Sequence, residues 1–207
     1  MESSNYTNKV LQGAEGLFRR FGIRSVSMDD IAKHLGISKK TIYQEYDDKN
    51  QLIDNLVQKD LTRHRITFEE IEKHSKDAIE EIIKIMHYLG SEFAGTNPNM
   101  FYDMKKYHHD CWLKFTKFKE SDAMSFVVRN LEKGQAQGLY RNNLNLKIIA
   151  RLRIEEIELA LNPSIYPPDK FVIAEVQLEL LDHFLHGICT LKGHRLINKY
   201  RQIKEEE

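Results

Sequence analysis

The 207 residues carry zero formal net charge, 30% charged and 41% hydrophobic side chains, and only four prolines and ten glycines. That is too apolar for a disordered chain and long enough to bury a sizeable core, and the sparse punctuation between stretches rich in Leu, Ile, Glu, Lys and Gln predicts an all-α protein. With no bulk basicity any nucleic-acid surface must be local, and without an apolar run of about 18 residues or an apolar segment behind the polar Met1–Asn5 start, a cytoplasmic protein with no membrane span is expected.

From Thr7 to Phe21, Val10, Leu11, Ala14, Leu17, Phe18 and Phe21 fall at spacings of three and four, predicting a first helix that ends at Gly22. Ser27-Met28-Asp29-Asp30 fits a capping box, in which the serine oxygen accepts backbone N–H bonds and the acid three residues on reaches back, so a short helix should run to Leu35. Gly36 suits a sharp left-handed stop and Ser38 can cap the next helix, so Ile31 through Tyr43 reads as helix, tight turn, helix, the second of about two turns. Asp47-Asp48 can cap a long amphipathic helix that starts at Lys49 and continues into the seventies, and the domain boundary is drawn at 48/49. Ile79 to Phe93 predicts another helix, closed by Gly95 and Pro98; Met100 to Phe118 predicts one more, and Ser121 to Gln137 a third, capped by Gly138. Leu144–Leu161, closed by Asn162-Pro163, and a strongly apolar helix from about Asp169 to Leu191 complete the pattern, with the Glu205-Glu206-Glu207 tail expected to fray.

The first fifty residues resemble the DNA-binding domain of the TetR family. Val10-Leu11, Ala14, Leu17-Phe18 and Gly22 resemble that family's first helix, Ser27-Met28-Asp29-Asp30-Ile31-Ala32 its second, and Gly36-Ile37-Ser38-Lys39-Lys40-Thr41-Ile42-Tyr43 its recognition helix, with Lys49 opening the fourth. Farther on, the similarity is one of length, helical pattern and a Gly138-Leu139-Tyr140-Arg141 turn. The resemblance implies an N-terminal three-helix helix-turn-helix domain, residues 1–48, followed by a larger helical bundle, residues 49–207, that binds an effector and dimerises. It also implies a homodimeric repressor on a pseudo-palindromic double-stranded DNA operator, joined through the last two long helices, Leu144–Leu161 and Asp169–Leu191.

A recognition helix enters a major groove roughly 12 Å wide, and its exposed face reads bases. Lys39, Lys40, Thr41 and Gln44 are the candidates, because lysine donates to guanine acceptors, glutamine pairs with adenine, and a threonine methyl touches thymine. Ser27, Tyr43 and Lys49 match family positions that contact phosphate, and Ser38 joins the set at the head of the helix. Lys40, Gln44 and Glu45 stand where the family commonly has glycine, an aromatic and histidine, and Tyr46-Asp47 where it often has Phe-Pro, which points to an unusual operator. Residues 1–50 hold eight Lys/Arg against seven Asp/Glu, so Glu45, Asp47 and Asp48 put acid beside the expected DNA face.

In the larger domain Met86, Phe93, Met104, Tyr107, Trp112 and Phe115 could line a cavity for a small apolar or aromatic effector, the alternative being plain core packing. His108-His109-Asp110-Cys111 cannot converge on one ion from adjacent helix positions, and of His183, His186 and His194 only the first two share a face, so no metal is expected. Cys111 and Cys189 read as buried small apolar residues. No GxSxG, Walker or GxGxxG pattern occurs and no Ser or Cys nucleophile has an activating context, so neither an enzyme nor a cofactor is expected. The second reading is a helical adaptor that keeps the fold, has lost DNA binding and acts through a protein partner.

Overall fold

In a computed structural model, residues 2–97 and 99–201 are described; Pro98 and the Glu205–Glu207 tail lie outside them. The described chain is helical, and the one β interaction among those residues is an isolated bridge between Tyr140 and Cys189. The helices are α1 (Glu2–Phe21), α2 (Met28–Leu35), α3 (Lys39–Tyr43), α4 (Lys49–His74), α5 (Ala78–Phe93), α6 (Asn99–Tyr107), α7 (His109–Phe118), α8 (Met124–Ala136), α9 (Leu146–Ala160), α10 (Ile173–Ile188) and α11 (Leu191–Arg201). A π-helical turn, Lys119–Ala123, joins α7 to α8.

The chain divides into two compact units, Met1–Arg63 with Gly95–Lys117 and His64–Ala94 with Phe118–Glu207. In the first, the capping box forms as the sequence predicts: the Ser27 side chain accepts the Asp30 N–H, and the Asp30 carboxylate accepts the Ser27 N–H at 2.9 Å. Gly36 has φ +64°, a left-handed conformation that costs glycine little, and its N–H closes α2 onto the Ala32 and Lys33 carbonyls. Val10, Ala14 and Phe18 of α1, Ile31 of α2, Ile42 of α3 and Leu52 and Ile53 of α4 form the core of this unit. Met104 of α6 and Cys111 of α7 belong to the same core, and Met100, Phe101, Trp112 and Phe115 pack against it.

In the second unit α5 packs on α8, α10 and α11, and α9 packs on α8 and α10. Glu81 is fully buried, yet its carboxylate accepts hydrogen bonds from Asn130 Nδ2 at 2.9 Å and Lys133 Nζ at 2.5 Å. The Tyr140 hydroxyl donates to the Ala78 carbonyl and lies 3.2 Å from Asn130 Oδ1, so the buried polar atoms of this network satisfy one another.

Helix boundaries differ from the sequence expectation most in three regions. The single helix expected over Met100–Phe118 is two, interrupted at His108, whose ring nitrogen Nδ1 lies 2.8 Å from Asn50 Oδ1. The last helix expected over Asp169–Leu191 starts later, at Ile173, and stops at Ile188, because Cys189 turns extended and bridges to Tyr140 before α11 begins. The recognition segment is five residues long rather than two turns.

Candidate nucleic-acid interface

Helix α3 is anchored by Ile42, which is completely buried, and capped by Ser38, whose Oγ accepts the Thr41 N–H at 3.1 Å and lies 2.8 Å from Thr41 Oγ1. Anchoring one face leaves the other to solvent: Ser38, Lys39, Lys40, Tyr43 and Gln44 are exposed, Thr41 half-buried, and Ser27 is exposed at the head of α2. Seven of the eight sequence-predicted DNA residues thus lie on α2 and α3 or at their caps, joined by the Gly36 turn.

Lys49, the eighth, is half-buried; its ammonium donates to the Ile23 carbonyl and stands 5.6 Å from the centroid of the Phe18 ring. Burial pushes its pKa down, against the attraction of Asp103 and Asp30. The side chain is therefore committed to the protein in this conformation.

Charge is arranged on this face by contacts the sequence does not announce. Asp29 Oδ1 lies 2.8 Å from Lys39 Nζ, and the hydrogen bond to that carboxylate raises the lysine's pKa. The same ammonium is 5.9 Å from the centroid of the Tyr43 ring. Lys40 is the exposed cation on α3 with no ion-pair partner among the described residues. Glu45 accepts a hydrogen bond from the Thr7 hydroxyl of α1, which draws part of the acid away from the α3 surface. No local pattern links Thr7 to Glu45, 38 positions apart; only the packing of α1 does.

The six residues considered for an effector are not gathered in one unit. Met104, Trp112 and Phe115 pack in or against the core of the first, Trp112 and Phe115 with ring centroids 5.2 Å apart. Tyr107 is exposed beneath the Arg24 guanidinium, 5.3 Å from its ring centroid. Met86 and Phe93 belong to the second unit, Met86 buried and Phe93 half-buried. The histidines differ from expectation too: the His186 ring lies 5.0 Å from that of His194, because the turn at Cys189 folds α11 back beside α10. Both cysteines are buried and unbridged, and burial pushes the Cys111 thiol up to about 11.

Comparison with known proteins places this geometry in a wider group. The family described as bacterial regulatory proteins, tetR family, matches residues 10–56. An HTH-type transcriptional regulator of Staphylococcus aureus is 31% identical over 125 residues, 55% of this chain and 68% of the relative. The HTH-type transcriptional regulator YvaF of Bacillus subtilis is 28% identical over 168 residues, 80% of this chain and 87% of the relative. Among solved structures, a TetR-family regulator from Agrobacterium tumefaciens matches with a TM-score of 0.76 at 20% identity, covering 91% of this chain and 100% of that one. The TetR-family repressor FadR of Thermus thermophilus, solved with lauroyl-CoA, matches with a TM-score of 0.57 at 18% identity, covering 89% and 95%.

Proposed function

The chain belongs to the tetR family of bacterial regulatory proteins and is a transcriptional regulator, and from that premise we propose that it is a cytoplasmic homodimeric repressor, released from a pseudo-palindromic operator by a small-molecule effector. The observation that carries the DNA-binding part is the exposed face of α3, where Lys40 lacks an ion-pair partner among the described residues and Ser38, Lys39, Tyr43 and Gln44 surround it, over a buried Ile42. Lys39, Lys40, Thr41 and Gln44 read base edges, and Ser27, Ser38, Tyr43 and the helix start at Lys49 fix register on phosphate.

Dimerisation through α9 and α10 is supported by apolar side chains turned to water: Ile148, Leu152 and Leu159 on α9, and Leu178 on α10. On a pseudo-palindromic operator the two α3 helices of a homodimer would meet successive major grooves about 34 Å apart. Residues 1–48 are then the DNA-reading part and residues 49–207 the sensing and dimerising part. That the Thermus relative was solved with lauroyl-CoA supports a small-molecule effector with an apolar portion.

Selection from a random DNA library with the purified chain, repeated with Lys40→Ala and Tyr43→Ala, tests the reading. Enrichment of a two-fold-symmetric site that both changes weaken is expected. No enrichment at low salt would favour an adaptor that works through a protein partner.

A further inference from the structure

Arg153 is 1% exposed, at the meeting point of α5, α9 and α10 in the second unit. A guanidinium has five N–H donors and stays protonated, so burying it is costly unless acceptors surround it. Among the described residues its hydrogen-bond partners are two: Nη1 donates to Glu156 Oε2 at 3.2 Å, and Nη2 to the Met86 sulfur at 2.7 Å. The Phe184 ring of α10 covers it, with the centroid 5.4 Å from Cζ. Burial pushes the Arg153 pKa down, and Glu156 offsets only part of that.

A thioether is a weak acceptor, and methionine turns easily about three bonds. The second arm of the guanidinium is thus occupied by a weak acceptor on a side chain that can change rotamer. Earlier on α10 than Phe184, Gln177 is also buried; its Nε2 donates to the Ile157 carbonyl, while Oε1 is buried with no partner. A core that buries a cation short of acceptors and an amide oxygen short of a donor is incompletely satisfied by its own side chains.

We propose that Arg153 is the recognition group for the carboxylate of an organic acid with an apolar body, which displaces the Met86 sulfur from Nη2 and lies against Phe184. This rests on the regulator reading and specifies the chemical class of its effector. Specificity follows from charge: the freed guanidinium arm makes a charge-assisted bond to a carboxylate that an alcohol of the same shape cannot match. Glu156 is the resident competitor for the same cation.

The test uses the full chain with 4-phenylbutyrate and decanoate, each beside the alcohol of equal length, followed by calorimetric titration and thermal shift. Expected is saturable uptake of at least one acid, at least ten-fold tighter than its alcohol. Arg153→Met should abolish that preference while leaving the alcohol unchanged, and Glu156→Gln should tighten the acid because it removes the competing carboxylate. Should Arg153→Met fail to fold, the Glu156→Gln titration decides alone. Equal binding of acid and alcohol, no uptake of either acid, or no gain in Glu156→Gln overturns the inference. Operator binding is measured in the same preparations without any acid: its retention when no acid binds sinks the inference alone, whereas its loss sinks the regulator reading.

Discussion

A β-carbon added to Gly134 would sit 2.0 Å from Cδ2 of the Tyr140 ring, so the absence of a side chain on α8 is what allows Tyr140 to enter the core. Once inside, the Tyr140 hydroxyl reaches the Ala78 carbonyl, and the Leu139 and Tyr140 N–H groups close on the Gly134 carbonyl. Burial at this position sends the phenol's pKa far upward. The Gly134→Ala change must therefore displace an aromatic ring that is nearly fully enclosed. Overpacking of this kind costs about 1–3 kcal/mol. Thermal unfolding followed by circular dichroism should show a lowered midpoint, and adding Tyr140→Leu should recover part of the loss by giving the new methyl room.

Asp29 holds Lys39 at 2.8 Å on a solvent-facing surface, which withholds one cation from DNA and places one anion beside it. Asp29→Asn should raise affinity for arbitrary DNA more than for the selected site, lowering the specificity ratio. If Lys39 then neutralises a phosphate, the slope of log K against log salt should steepen by about 0.9. An unchanged slope would mean that the pair already opens when DNA binds.

Lys40 faces solvent with no ion-pair partner among the described residues. Lys40→Ala should cost about 1–3 kcal/mol at the preferred site if the lysine reads a base, with relaxed selectivity at one position of each half-site. A uniform loss across sequences, with a shallower salt slope, would reassign it to phosphate. Repeating the library selection with the variant separates the two.

Much of the first unit was legible locally, because caps and stops are short-range devices: Ser27 with Asp30, Gly36, and Ser38 each act within four residues. The stop at Ile188 was not, since Gly187 lies inside α10 rather than just past its end, and the residue that Cys189 bridges is Tyr140, 49 positions away. The grouping of Met104 and Trp112 with the helix-turn-helix core was hidden for the same reason. An apolar stripe announces that a face is buried, and says nothing of what buries it. Arg153 carries no local signal of its burial, because arginine is almost never fully buried and a charged residue in α9 reads as solvated.

His108 lies beside Asn50, and burial, with Lys49 second, pushes its pKa below the ordinary histidine value, against the opposing pull of Asp103. The folded state therefore binds a proton less readily than the unfolded chain, and its stability rises with pH through that range. The contribution is complete above the unfolded value of about 6.5 and is lost as pH falls through it toward the folded value. Trp112, the chain's sole tryptophan, packs in the same unit and reports its unfolding by fluorescence. The midpoint in urea should fall between about pH 7.5 and about pH 5.5, a window that brackets the ordinary histidine value, and His108→Gln should flatten that fall. Equal pH dependence in both proteins would mean that the titrating group lies elsewhere.

Leu152 is 49% exposed and Ile148 63% on the outer face of α9, whose inner face buries Ala150, Arg153 and Ile154. Each such side chain gains about 1.5–3 kcal/mol on full burial, so leaving this stripe in water forgoes several kcal/mol that a second copy could recover. In a two-fold interface every substitution occurs twice, and Leu152→Asp would bring two carboxylates toward the same apolar contact. Since the position is half-exposed within one chain, the fold itself should tolerate the change. Sedimentation should therefore show a monomer with unaltered helicity, and operator affinity should drop because one half-site no longer recruits the other. A dimer that survives Leu152→Asp would place the interface on another face and leave the α9 stripe to a different partner.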